Sequence, residues 1–326
     1  MRSAPVSEQP SSGVVAVVGE ALIDFVPAGQ PDLFRAAPGG SPANVAVGLA
    51  RLEVHARMLA RLSDDPLGRA VRAHLAANGV DLRHAVRAAE PTSLAIVALG
   101  ADGVPVYDFR VSGTADWQWS DAELGGALDP AVVALHTGSL AATTRPGADA
   151  ILRLLEQARP QATLSYDPNC RPLLMGAPEL VRPQIERLVG LADVVKVSSE
   201  DLAWLLPGQP PEQVLADWLG RGPALVAVTL GGEGVVAAAR ETGPLRRPGR
   251  AVRVVDTVGA GDSFMSALLA GLYRRGLLGA ARRAALRAID IAALAGVLDE
   301  AVAASAITCT RAGANPPTRA ELQAAG

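Results

Sequence analysis

Asp256-Thr257-Val258-Gly259-Ala260-Gly261-Asp262-Ser263-Phe264 follows a β-branched run at residues 252–255 and opens a Leu/Ala-rich stretch that stops near Gly276. The pattern predicts a strand, a tight turn and then a helix from about residue 263 to 274. Successive small residues let backbone N–H groups converge at the helix N-terminus, where unpaired amides and the helix dipole favour an anion. Gly259, Ala260 and Gly261 would supply those amides, and Asp262 sits at the mouth of the hole. A carboxylate beside a bound phosphoryl group is repulsive unless it accepts the proton of an attacking hydroxyl. Taken alone, G-A-G-D is matched equally well by a glycine turn with an Asp helix cap. A dinucleotide fingerprint fits poorly. Phe264 stands where the third glycine belongs, and the motif lies far from the first strand–helix–strand unit.

A second glycine turn lies near the start. Gly39-Gly40-Ser41-Pro42-Ala43-Asn44 predicts a helix over Ser41–Arg51 with Ser41 at its cap and Pro42 in its first turn. Asn44 offers both a donor and an acceptor to a polyol. Upstream, Gly19-Glu20-Ala21-Leu22-Ile23-Asp24 leaves the first strand with a carboxylate able to accept from neighbouring hydroxyls. A turn glycine and a solvated loop charge explain these residues just as well in isolation.

Between the two motifs, short β-branched runs alternate with helical stretches. Strands are expected at Val14–Val18 and residues 56–61, 93–99, 105–110, 132–137, 163–167, 194–197, 224–230 and 235–239. Helices are expected at residues 66–78, 148–158, 179–190, 199–206, 211–220 and 277–298, the last one broken, and at Arg319–Ala324. This rhythm predicts a doubly wound α/β fold, a mostly parallel sheet flanked by helices. Residues 24–36 and 92–119 carry strand-like pieces without helices between them, which suits a small antiparallel β lid. The expected organisation is a flexible N-terminus (1–13), one domain over 14–318 and a tail at 319–326.

The 326 residues carry 30 basic and 33 acidic side chains, a net charge of −3, so no basic excess exists to engage a nucleic acid. Eleven aromatics (4 Trp, 3 Tyr, 4 Phe) also make a base-stacking surface a poor expectation. Two cysteines and four histidines lack metal-site spacing, and a reducing, cytoplasmic location is expected. The start lacks the apolar core of a signal peptide. The apolar stretch 288–307 is interrupted by Asp290, Asp299 and Glu300, which predicts an amphipathic helix rather than a membrane span. Lys196 is the sole lysine. No G-x-x-x-x-G-K-[ST] occurs, so a P-loop nucleotidase is excluded.

Together, the G-G-x-x-x-N turn and D-T-x-G-A-G-D resemble the ribokinase-like (PfkB) carbohydrate kinases, over about residues 14–318. The resemblance implies Mg-ATP-dependent phosphoryl transfer to a sugar hydroxyl, with Asp262 as base and Gly259–Gly261 as anion hole. It implies that Asp24, Gly39, Gly40 and Asn44 hold the sugar, with Arg110 reaching over it from the lid. Thr229, Gly231, Gly232 and Gly234 look like the family's nucleotide loop. Gly313 and Asn315 lie in a tail similar to the segment bordering adenine. Asp256 and the carbonyl of Val258 match positions where relatives hold a monovalent cation such as K+. Residues 196–201 depart from the family's N-x-x-E: Ser198 replaces Asn, and either Glu200 or Asp201 would organise Mg2+ through water. Lys196 reads as a phosphate contact or as a plain strand end.

Gly19–Asp24 is most similar to the opening of bacterial fructokinases. Asp167-Pro168-Asn169-Cys170-Arg171 resembles the D-x-N-x-R of fructokinases and 2-keto-3-deoxygluconate kinases, with Arg171 on the phosphate side. A fructokinase-like activity is expected, with 2-keto-3-deoxygluconate kinase or ribokinase as alternatives. A catalytically silent sugar or nucleotide sensor is the non-enzyme alternative. Asp116-Trp117-Gln118-Trp119 is read as packing at the lid hinge. By family analogy two copies would pair through their lids.

Overall fold

The computed structural model describes residues 13–29, 33–99 and 105–325; the N-terminal segment 1–12 and the centre of each expected lid loop lie outside them. The described strands are, in chain order, β1 (Val14–Val18), β2 (Leu22–Pro27), β3 (Phe34–Gly39), β4 (Ala56–Leu59), β5 (Arg61–Ser63), β6 (Val86–Ala88) and β7 (Leu94–Leu99). They continue with β8 (Pro105–Arg110), β9 (Val132–Gly138), β10 (Thr163–Asp167), β11 (Val194–Ser198), β12 (Leu225–Thr229), β13 (Val235–Ala239) and β14 (Thr242–Arg247).

Eight of them form one sheet in the order β14-β13-β12-β11-β10-β9-β1-β4. The pairs from β4 through β12 are parallel, and β13 and β14 add an antiparallel edge. β1, an all-apolar run, and β10, which carries Thr163, Ser165 and Asp167, are both buried along their whole length, as in strands covered by helices on both faces. β1 is followed in space by β4 on one side and β9 on the other. The chain therefore changes direction there, and a crevice opens at the carboxyl ends of these strands.

The helix Ala260–Arg274 runs under that crevice, buried from Asp262 to Leu272. Ile291–Cys309 packs along it. That helix is long and apolar enough to cross a bilayer by length and composition, yet Leu294, Val297, Leu298 and Ala301 are buried in the core. A second sheet, in the order β3-β2-β7-β8, stands apart from the first. β2 pairs antiparallel with β3 and parallel with β7, and β7 antiparallel with β8, so the lid expected to be antiparallel is a mixed sheet.

Three local expectations need correction. Residues 252–255 are not a strand: the Val255 and Asp256 amides donate to the carbonyl of Cys309 at the end of the long helix (2.8 and 3.3 Å), not to a ladder. Val254 and Val255 are exposed. The expected strand 56–61 divides at Ala60, where β5 leaves to pair with β6. The broken helix expected at 277–298 is indeed in two pieces, but it starts later and runs on past 298: the pieces are Arg283–Arg287 and Ile291–Cys309, the second capped by the Asp290 side chain.

Candidate active site

Glycine decides how Ala260–Arg274 begins. Gly259 adopts a left-handed φ of 77° at the N-cap, and no side chain caps the helix. A methyl group on Gly259 would lie 2.6 Å from Ala314 Cβ, so the C-terminal tail packs directly on the turn. Asp262 lies in the first helical turn and is nearly buried. Its Oδ1 accepts from the Ser41 hydroxyl at 2.6 Å and its Oδ2 from the Asn44 amide at 2.8 Å. The two glycine motifs, more than 200 residues apart in sequence, thus meet through one carboxylate.

The helix carrying Ser41 and Asn44 also starts on glycine. Its N-cap is Gly40, not Ser41, with φ 99°. Any side chain on Gly40 would press on the carbonyl of Glu20, 2.6 Å from a Cβ. Ser41 is therefore freed from capping and serves Asp262, a role its sequence context does not signal.

Lys196 ends up beside the same turn. It is buried on β11 and donates to Asp167 Oδ2 at 2.8 Å. A Cβ on Gly261 would lie 2.9 Å from its Nζ. Burial opposes its charge, but Asp167, Asp201 and Asp262 outweigh that, and the ammonium is held above its usual pKa. A permanent cation against an uncapped helix start is a strong anion site.

Asp24, on β2, faces this cluster. Its carboxylate fills the space that Gly39 leaves empty. Burial raises its pKa to about 6, with Asp262 adding repulsion and Arg171 opposing the rise. Arg171 therefore lies within electrostatic reach of Asp24. Its Nη1 also donates to the carbonyls of Asn169 and Cys170 at 3.0 Å and to Asn169 Oδ1 at 2.8 Å, which braces the loop after β10.

Other expected site residues sit farther out. Ser198 caps the helix Ser199–Leu205. Asp201 accepts from the Ser198 amide and from the Cys170 amide (3.2 and 2.7 Å), while Glu200 is exposed beside it. Asp256 accepts from the amides of Val258 and Gly313 (3.0 and 2.8 Å), pinning the tail to the turn. Asn315 accepts from Arg51, whose guanidinium also donates to the Pro316 carbonyl at 2.7 Å. Thr229 ends β12, and Gly231 and Gly232 follow with open space where a side chain would be. Gly234 is instead crowded by the backbone of Arg247–Gly249. Gly313 also faces open space. Arg110, on the edge strand β8, is two-thirds exposed and pairs with Asp108 at 2.6 Å; it is not drawn into the Asp262 cluster.

Glu20 and Asp116 are also buried carboxylates outside the residues expected in the site. Glu20, after β1, accepts from the Ala141 amide at 3.1 Å, and burial lifts its pKa to about 7. Asp116 is likewise lifted by burial, to about 6.

Residues 13–321 match the pfkB family carbohydrate kinase. A fructokinase of Klebsiella pneumoniae is 37% identical over 273 residues, covering 82% of this chain and 86% of its own. The crystal structure of a fructokinase with bound ATP from Xylella fastidiosa superposes with a TM-score of 0.88 at 28% identity, over 96% of this chain and 98% of that one. A fructokinase double mutant from Vibrio cholerae O395, in fructose-, ADP- and potassium-bound form, gives a TM-score of 0.81 at 29% identity, over 97% and 99%. The match over nearly the whole chain, together with the fructokinase relatives and the ATP-bound fructokinase structure, identifies an ATP-dependent sugar kinase, and this chain belongs to the pfkB family of carbohydrate kinases.

Proposed function

We propose that the protein transfers the γ-phosphoryl group of ATP to a primary hydroxyl of fructose. The observation that carries this reading is the Asp262 carboxylate, held by Ser41 and Asn44 at an uncapped helix start with Lys196 against it. Sugar hydroxyls would replace those internal donors. The sugar oxygen forms its bond to phosphorus as the bond from phosphorus to the ADP oxygen breaks, and the proton passes to Asp262. The amides of Gly259, Ala260 and Gly261 would hold the transferring group, that of Ala260 after leaving the Thr257 carbonyl to which it donates at 3.2 Å; one such donor is worth about 3 kcal/mol in related holes.

Asp24, Gly39, Gly40 and Asn44 orient the sugar, and Arg110 closes over it as the second sheet acts as a lid. Lys196 and Arg171 bind the phosphate chain. Ser198, Thr229, Gly231, Gly232 and Gly234 line one wall of the nucleotide site, and Gly313 and Asn315 the other. Glu200 and Asp201 offer only oxygen donors, a set that suits hydrated Mg2+. When bound, that ion neutralises charge on the nucleotide phosphates. Asp256 and the Val258 carbonyl would hold K+ by the same hard-oxygen chemistry. Leu33 and Phe34, exposed and apolar beside and on the edge strand β3, support pairing of two copies through their lids, which sedimentation would test.

The decisive experiment is ADP release from Mg-ATP, with and without potassium. It is run on fructose, ribose, 2-keto-3-deoxygluconate, adenosine and fructose 6-phosphate. A strong preference for fructose is expected. Activity confined to another acceptor would keep the mechanism and replace the substrate, and sugar binding without ADP release would overturn the kinase assignment.

A further inference from the structure

The chain enters or leaves the second sheet at four places. These are residues 19–21 after β1, Gly39–Gly40 after β3, residues 89–93 before β7 and residues 111–114 after β8. One buried carboxylate gathers three of them. Asp116 Oδ1 accepts from the Ala21 amide at 2.8 Å, and its Oδ2 accepts from the Ser93 hydroxyl. The Ser93 hydroxyl lies 2.6 Å from that of Thr114. Backbone bonds run alongside, from Ile23 to the Ser93 carbonyl (3.1 Å) and from Ala115 to the Pro91 carbonyl (3.0 Å). The remaining crossing leans on the first, since Gly40 packs against Glu20 and Ala21.

Asp116 is 1% exposed and stands beside the buried Trp117. A buried carboxylate is costly unless fully hydrogen-bonded, so packing alone does not account for an acid here. Its partners are all hinge residues of the second sheet, and Ala21 lies three residues before Asp24 on the chain. We propose that Asp116 is a positioning residue for sugar binding: it ties the crossing strands into one unit and so fixes Asp24 opposite Asp262. The proposal rests on the sugar-kinase reading above. It predicts that loosening the knot weakens capture of the sugar while leaving the nucleotide side and the proton transfer intact.

Asp116→Ala, which removes both acceptors, is compared with Asp116→Asn, which keeps one for Ala21 and can donate to Ser93. Steady-state kinetics are measured with fructose and ATP varied separately. For Asp116→Ala we expect a rise of about tenfold in the fructose KM, an ATP KM within twofold of native and kcat within threefold. Asp116→Asn should recover most of the loss. A merely structural role would lower the active fraction, and so kcat, without moving the fructose KM; that result, or native kinetics in a folded Asp116→Ala, overturns the proposal. If Asp116→Ala does not fold, Ser93→Ala and Thr114→Val strip the hydroxyl half of the knot. A fructose KM raised about threefold supports the proposal, and an unchanged one overturns it. Failure of the native protein to phosphorylate any sugar would instead defeat the underlying reading.

Discussion

The two sheets hold their shares of the site in different ways. In the large sheet, β1, β10 and most of β11 are buried on both faces, and Lys196 and Asp167 sit on adjacent strands as a buried ion pair. The second sheet is half open. β3 is exposed over its first three residues, and β2 grades from buried at Leu22 to exposed at Pro27. The groups assigned to the phosphate therefore rest on a packed core, whereas Asp24 rests on a sheet joined to the body by four crossings. Elements with few buried contacts open at lower free energy than core strands. On the proposed assignment, the phosphate side would be set by folding itself and the sugar side left free to adjust to its ligand.

Five experiments can break or sharpen that contrast. The largest effect is expected at Asp262. Replacing it by Ala should cut turnover by about 10²- to 10⁴-fold, the usual range for a general base, with ATP binding retained by calorimetry. Near-native turnover would remove Asp262 from the chemistry. Next comes Lys196→Met, which strands Asp167 as an unpaired buried charge and should lower stability by about 3–5 kcal/mol in urea unfolding. Asp24→Asn should leave unfolding nearly unchanged and raise the fructose KM. Equal destabilisation by both would erase the distinction between the two sheets.

Two smaller effects concern pH. Asp24, lifted to about 6 chiefly by burial, loses its anionic acceptor as pH falls through that value. The fructose KM should therefore rise between pH 7 and 5, and Asp24→Asn should flatten the profile. Glu20 should contribute in the opposite sense, and to stability. Its folded pKa of about 7 exceeds the ordinary 4.5, so the folded state binds the extra proton. Stability from this group is full below about pH 4.5 and is lost as pH rises through 7. Melting curves of Glu20→Gln should lack that part of the slope; an identical slope would mean that Glu20 is not buried as a proton-binding group.

Sequence reading fared best where one kind of physics acted alone. The parallel strands were legible because burial on both faces demands continuous apolar runs, as in Val14–Val18 and residues 225–228. It failed at residues 252–255, whose β-branched composition matches a strand. Their amides are instead taken by the end of a helix more than fifty residues later, and no local pattern encodes such a partner. Ser41 was equally opaque. A serine before a proline reads as a cap, but here Gly40 supplies the turn and the hydroxyl crosses to Asp262.

By itself the sequence determined the layered α/β architecture, the two glycine turns and the residue types available for phosphoryl transfer, because periodicity and backbone freedom are local properties. Only the tertiary structure decided that Lys196 lies against Gly261, that Arg171 acts on Asp24 and that Asp116 knots the crossings between the sheets. Hydrogen bonds and ion pairs depend on distances of a few ångströms between residues far apart in the chain, and those distances exist only once the core has packed.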